Sequence, residues 1–183
     1  RDLDGFTFPK AGDNRVFSSR GTNGIDGTLC TALGEALANP TNPMVVLLGD
    51  LATIHDLGGL HLLSTYHREG LLQAPFVVIV IDNNGGGIFE HLPISVHEDI
   101  FERAFITPQG ASLQGLIGGF GLPCVRCHTG AELQASLDGA LLSCGVGVIV
   151  AEAAREWTVS RRQEVWTTIG TALRSVLLGK EEK

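Results

Sequence analysis

The residue pattern predicts an α/β domain: a doubly wound, mostly parallel sheet with helices on both faces. Three observations predict it. Two short runs, Met44-Val45-Val46-Leu47-Leu48 and Phe76-Val77-Val78-Ile79-Val80-Ile81, are almost purely apolar and rich in β-branched residues, as expected of strands buried on both faces of a parallel sheet. Each run ends in turn formers, Gly49-Asp50 after the first and Asp82-Asn83-Asn84-Gly85-Gly86-Gly87 after the second. Helical patterns alternate with these runs and with two later strand candidates, the order that builds βαβ units.

Taken in order, residues 1–14 read as an irregular lead-in, with Gly5, Pro9, Gly12 and the Asp13-Asn14 turn signal. Val16-Phe17-Ser18 suggests a short strand. A helix is expected over 25–38, ended by Asn39-Pro40. Strand 44–48 follows, then a helix over 55–67, a short polar connection and strand 76–81. Glycines 85–87 open a helical turn, and the stretch to Pro108 is a long excursion of the kind that more often serves function than mere connection. From there the pattern gives a helix over 112–120, strand 123–127, helix 130–142 and strand 146–151. Thr129 with Glu132, and Ser160 with Gln163, fit capping boxes. After the second box, Val165, Trp166, Ile169, Leu173 and Leu177 recur at helical spacing, a stripe expected to face the core. Residues 179–183 read as a frayed, solvated tail.

A chain of 183 residues with 44% hydrophobic content can bury one substantial core, so residues 1–183 are taken as a single domain. The chain opens at Arg1 and its only methionine is Met44, which suggests the back part of a longer protein. No window is apolar for long enough to span a bilayer. A formal charge of −7 argues against nucleic acid, which needs a basic face. Cys30, Cys124, Cys127 and Cys144 are scattered, and a core of this size needs no disulfide scaffold. A reducing compartment is expected, the cytoplasm, or a plastid stroma in a photosynthetic eukaryote. Cys124-Val125-Arg126-Cys127-His128 matches a haem-attachment pattern, but it falls on a strand candidate and is read as structural. A zinc half-site is disfavoured because no second ligand pair has matching spacing.

The chemistry gathers where the first two strands end. Asp50 and Asn83 fall at the carboxyl ends of those strands, where open α/β sheets bind ligands. One carboxylate, one amide oxygen and a glycine-rich backbone form an all-oxygen set suited to Mg²⁺, which keeps some positions for phosphates. Glycines also let a main chain approach a diphosphate with no Cβ in the way. The residues therefore predict a metal–diphosphate site.

This arrangement resembles the signature of thiamine-diphosphate enzymes: Gly-Asp-Gly, a spacer, then Asn-Asn. Here the third position is Leu51, and the spacer is a few residues longer than usual around 66–73, an excess expected to be a surface loop. Gly49-Asp50-Leu51, His55-Asp56-Leu57, Asn83-Asn84-Gly85-Gly86-Gly87-Ile88-Phe89 and Leu92-Pro93 together resemble one family, the 2-succinyl-5-enolpyruvyl-6-hydroxy-3-cyclohexene-1-carboxylate synthases of menaquinone and phylloquinone biosynthesis. Ser18-Ser19-Arg20-Gly21-Thr22-Asn23-Gly24-Ile25-Asp26-Gly27 resembles it again. The likeness runs from residue 1 to about residue 150 and covers only the family's C-terminal, diphosphate-binding domain.

The resemblance implies a transferase that uses thiamine diphosphate and Mg²⁺, with Mn²⁺ as an alternative. It implies decarboxylation of 2-oxoglutarate and conjugate addition of the succinyl unit to isochorismate. By the same resemblance, the metal ligands carry over to Asp50, Asn83 and the backbone carbonyl of Gly85. Cofactor contacts carry over to Gly24, Ile25, Gly49, Asp50, Leu51, Asn83, Gly85, Gly86 and Ile88. Ile25, otherwise read as core, would prop the cofactor in the bent form that brings its two rings together. Arg20 would clamp a substrate carboxylate bidentately, and Arg1 matches a second substrate-binding arginine. Arg20 and Ile25 are thus the residues expected to serve catalysis. Ile88, Phe89 and Leu92 divide between packing and an apolar wall to the substrate pocket. His55 could be a general base, but a buried, hydrogen-bonded histidine is the favoured reading. In the family that the chain resembles, the glutamate that activates the cofactor belongs to an N-terminal pyrimidine-binding domain of a second subunit. A homodimer or homotetramer is therefore expected, and the isolated chain is expected to be inactive.

Two other readings remain. Another thiamine-diphosphate enzyme, of acetolactate synthase or 2-oxoacid decarboxylase type, is disfavoured by Leu51 and the Ser18-Ser19-Arg20-Gly21 loop. A non-catalytic dinucleotide-binding module would need Gly-x-Gly-x-x-Gly after its first strand, and Ile88 and Phe89 break that pattern.

Overall fold

A computed structural model describes residues 15–18 and 24–177. The lead-in 1–14, the tail 179–183, Arg1 and Arg20 lie outside the described residues. Four strands form one sheet in the order β1-β2-β4-β3, all neighbours parallel: β1 is Met44–Gly49, β2 Pro75–Asp82, β3 Cys124–Cys127 and β4 Gly145–Glu152. Helix α1, Thr28–Ala38, precedes β1; α2, Asp50–His55, and α3, Leu57–Arg68, lead to β2. Between β2 and β3 come two 3₁₀ turns (Gly87–His91 and Pro93–Val96), the single turn α4 (Glu98–Phe101), a π-helical turn (Glu102–Ile106) and α5 (Leu113–Gly119). Helix α6, Gly130–Ala140, joins β3 to β4, and α7, Arg155–Leu177, ends the described chain.

The sheet is wound on both faces. One face packs Val46, Leu48, Phe76, Val78, Val80, Val146, Val148 and Val150 against Leu29 and Leu33 of α1, Leu60 and Leu63 of α3, and Leu113 and Ile117 of α5. The other packs Val77, Ile79, Ile149 and Cys127 beneath Leu133 and Leu137 of α6. Strand β2 is the interior strand that its sequence predicts, with Phe76 to Val80 all buried. Strand β1 is not. It lies at the sheet edge, and Val45 and Leu47 remain exposed while Val46 and Leu48 are buried. No helix among the described residues covers that face.

Other expectations are corrected. Residues 15–18 carry no regular structure, so Val16-Phe17-Ser18 is not a strand here. Helix α1 begins at Thr28 rather than at residue 25, because Gly27 takes a left-handed conformation, φ 70°, that a helix cannot continue through. The helix expected over 55–67 is two helices broken at Asp56 (φ −103°, ψ 34°). The stretch 66–73 is not simply a surface loop, since α3 runs on to Arg68, Tyr66 packs against the core and Leu72 is buried.

The capping box at Thr129 forms by half, its hydroxyl accepting the Glu132 N–H at 3.2 Å while the Glu132 carboxylate accepts the N–H of His128 at 2.7 Å rather than that of Thr129. The one at Ser160 does not: α7 starts at Arg155, and the Ser160 hydroxyl donates to the Trp157 carbonyl inside the helix. The stripe on α7 is not core either, because Trp166, Leu173 and Leu177 are exposed and Val165 and Ile169 only half-buried. The four cysteines are free thiols. Among the described residues no helix is long and apolar enough to cross a membrane.

Candidate functional site

Parallel pairing places Gly49 beside Ile81, so the chain turns out of β1 and β2 at the same edge of the sheet. Asp50 opens α2 at that point. Its Oδ1 accepts the Leu51 N–H at 2.7 Å, and its Oδ2 accepts the Gly85 N–H at 2.5 Å from beyond the end of β2. Thr53 secures the turn by donating its hydroxyl to the Gly49 carbonyl at 2.8 Å. Asp50 is only 5 % exposed. Burial pushes its pKa above the ordinary carboxylate value and the charge of Asp82 adds to this, while the hydrogen bonds from Leu51 and Gly85 oppose it. No cationic side chain among the described residues pairs with it. A buried carboxylate in that condition favours a bound cation, and since a carboxylate offers about four lone-pair sites, two amide donors leave room for one.

The glycine loop is shaped largely by the chain itself. Gly85 has φ 129°, and a Cβ there would fall onto the Ile106 carbonyl. Gly86 donates its N–H to that carbonyl at 2.7 Å, and its own Cβ would lie 2.6 Å from the Phe105 carbonyl. A Cβ on Gly87 would lie 2.5 Å from Nδ2 of Asn83. The 102–106 turn and Asn83 therefore require glycine at these three positions within the chain itself. Gly49 differs, with open space where its Cβ would be.

Of the other candidate residues, Leu51 lies beside Asp50, and half-buried Asn83 lies against Gly87. Gly24 and Ile25 stand exposed just before α1, and Ile25, 42 % exposed, is not core in this chain. Ile88 and Leu92 are each 48 % exposed. Phe89 instead packs on Gly86 and edge-on to Phe105, which stacks in turn on Phe101. His55 is exposed, contrary to the buried histidine expected, because it ends α2 on the side away from the core.

Several contributors escaped the sequence reading. Arg155, at the start of α7, pairs with Glu90 at 3.1 Å and Glu102 at 3.2 Å, tying both arms of the excursion together beside Gly87. Arg126 bridges Asp82 and Glu152, and His128 meets Glu152 at 2.5 Å, in a row along the ends of β2, β4 and β3. Asp56 is buried and bonded to α1. A charged residue after an apolar run was the available signal for Arg126 and Glu152; the partners lie too far along the chain for spacing to select them.

A parallel sheet with an acidic turn after one strand, bonded to a glycine-rich turn after the next, is the arrangement in which open α/β domains bind ligands at the carboxyl ends of their strands. Residues 5–151 match the family model of the thiamine pyrophosphate enzyme, C-terminal TPP binding domain, and the chain belongs to that family. Within it the chain is similar to the 2-succinyl-5-enolpyruvyl-6-hydroxy-3-cyclohexene-1-carboxylate synthases. It is 42% identical over 164 residues to that of Synechococcus sp. (strain JA-3-3Ab), covering 90% of this chain and 26% of the relative. It is 35% identical over 177 residues to that of Geobacillus kaustophilus (strain HTA426), covering 97% and 29%. The chain thus spans under a third of the length of these relatives. Among solved structures, a Rhodococcus jostii RHA1 thiamine diphosphate-dependent 4-hydroxybenzoylformate decarboxylase has the same fold, with TM-score 0.58 and 20% identity over 69% of this chain and 23% of that one.

Proposed function

We propose that this chain is the diphosphate-binding part of a 2-succinyl-5-enolpyruvyl-6-hydroxy-3-cyclohexene-1-carboxylate synthase that uses thiamine diphosphate and Mg²⁺, with 2-oxoglutarate and isochorismate as substrates. The observation that carries the reading is the Asp50–Gly85 bond, which joins the two halves of the signature into one buried, oxygen-rich corner. The donors fit a hard divalent cation: the Asp50 carboxylate, the Asn83 amide oxygen and the Gly85 carbonyl, with phosphate oxygens completing the shell. When bound, thiamine diphosphate supplies the thiazolium carbanion chemistry that cleaves and forms bonds next to a keto carbon.

The chain's own residues bind and orient. Asp50 anchors the metal and Gly49 leaves space beside it. Ile25 stands free to press against the cofactor, and Ile88 and Leu92 present apolar surface to the substrate side. Phe89 acts through packing, holding the loop that carries Ile88. Arg1 and Arg20 are assigned to the substrate carboxylates on the strength of their sequence motifs. A second subunit's N-terminal domain is assigned the activating glutamate, which makes a homodimer the smallest active unit.

The test is calorimetric titration of the full-length protein with thiamine diphosphate, with and without Mg²⁺, followed by turnover of 2-oxoglutarate with isochorismate. Tight binding only with the metal, and carbon dioxide release coupled to isochorismate consumption, are expected. Binding that ignores the metal would remove Asp50 from its role. Turnover of another 2-oxo acid without isochorismate would place the chain with the decarboxylases.

A further inference from the structure

Asp56 occupies the break between α2 and α3 and is 7 % exposed, though its sequence neighbours give no reason for burying a charge. The reason lies across the fold. Its Oδ2 accepts the N–H of Leu29, in the first turn of α1, at 2.8 Å. That amide is one of the donors a helix leaves open at its start, normally met by an N-cap side chain. Helix α1 has no such side chain, since its N-cap is Gly27. A carboxylate from 27 residues downstream takes the place, and its charge suits the positive end of the helix dipole. Close approach is what makes the bond possible. A Cβ on Gly59 would lie 2.8 Å from Leu29 Cβ and 3.1 Å from Asp56 Cγ, so only glycine lets α3 come so near. Leu29 and Leu60 are wholly buried on either side.

This bond joins the two segments that the proposed function needs in register. Ile25 lies just before α1, while Asp50 begins α2, which runs directly into Asp56. We propose that Asp56 is a positioning residue: through the Leu29 amide it sets where the Gly24–Ile25 segment stands relative to Asp50, and hence how the propping side chain meets a cofactor anchored at its diphosphate. It touches neither cofactor nor substrate. The inference rests on the functional reading above.

The experiment compares Asp56→Ala and Asp56→Asn with the wild type in the full-length protein, reading kcat, thiamine-diphosphate Kd in Mg²⁺, and hydrogen exchange at the Leu29 amide. Misplacing a reacting group by a fraction of its size costs roughly tenfold to a hundredfold in rate. Asp56→Ala should therefore lose kcat by about that factor, with cofactor Kd nearly unchanged and Leu29 protection lost. Asp56→Asn, whose amide oxygen can still accept, should recover most of both protection and rate. Asp56→Ser, too short to reach, makes the same test if the Ala variant does not fold. The inference is overturned if Leu29 loses protection while kcat per folded site stays at the wild-type value, or if cofactor affinity and kcat fall by the same factor. A wild type that binds no thiamine diphosphate would overturn the functional reading and this inference together. A wild type that binds normally, beside an unaffected Asp56→Ala, would overturn this inference alone.

Discussion

The carboxylate of Asp50 and the backbone N–H of Gly85 are joined by a 2.5 Å hydrogen bond that closes the ends of β1 and β2 over one another. The two residues are 35 apart in sequence, and the bond depends on parallel pairing that brings Gly49 level with Ile81. It links the metal-binding half and the diphosphate-binding half of the proposed site.

The first prediction concerns that link. Gly85→Ala places a Cβ on the Ile106 carbonyl at a φ of 129° that side chains rarely adopt. Relief requires the loop to move away from the 102–106 turn and the Gly85 N–H to leave Asp50. A loss on the order of 1–3 kcal/mol in unfolding free energy is expected, measured by urea denaturation with unchanged slope. A variant as stable as the wild type would show that the loop does not rest on Ile106.

Asp50→Ala removes the charged donor of the proposed metal site and should abolish Mg²⁺-dependent binding of thiamine diphosphate. Asn83→Ala should weaken it less, because a neutral amide contributes less to a divalent ion than a carboxylate does. Titrating both variants across a range of Mg²⁺ concentrations separates the two effects. Normal cofactor affinity of Asp50→Ala at low metal would end the assignment.

Asp50 also predicts a pH effect with a definite sign. Its folded-state pKa is raised, chiefly by burial, so the folded chain holds this proton more tightly than the unfolded chain does. Stability from Asp50 is then present at low pH and lost as pH rises through the raised value. In chelator, the melting temperature of the wild type relative to Asp50→Asn should move in the wild type's favour as pH is lowered from neutral. Mg²⁺ at neutral pH should shift the comparison the same way, since it binds the ionised carboxylate. A difference independent of both pH and Mg²⁺ contradicts the raised pKa.

Ile25→Ala should lower kcat while leaving diphosphate affinity nearly intact, because the anchoring groups lie elsewhere. The exposure of Ile25, 42 %, makes the stability cost small, within about 1 kcal/mol, unlike that of a core truncation. Kinetics beside thermal denaturation of one preparation decide the matter: a large loss of stability with full rate in the folded fraction returns Ile25 to a packing role.

Much of the fold was legible because its signals are local. The apolar run 76–81 announces a strand buried on both faces, and Asn39-Pro40 ends a helix wherever it stands, since both depend on near neighbours. The same locality explains the errors. Val45 and Leu47 look as buried as Val77 and Ile79, yet they are exposed, because a strand's own residues do not say whether it lies at the edge of the sheet. The stripe on α7 has core spacing, but spacing identifies a face and not what covers it.

For the site, the residue types and their places at strand ends were in the sequence: Asp50, Asn83 and the glycines stand where turn formers follow apolar runs. Tertiary structure alone decided how they act. It spends Gly85 and Gly86 on the Ile106 and Phe105 carbonyls, brings Arg155 to Glu90 and Glu102, and buries Asp56 beneath α1. The physical reason is range. Turn chemistry and hydrophobic periodicity act over a few residues, whereas Asp56 to Leu29, Asp50 to Gly85 and Arg155 to Glu102 are hydrogen bonds across 27, 35 and 53 residues, made only once the parallel sheet has set its strand order and register.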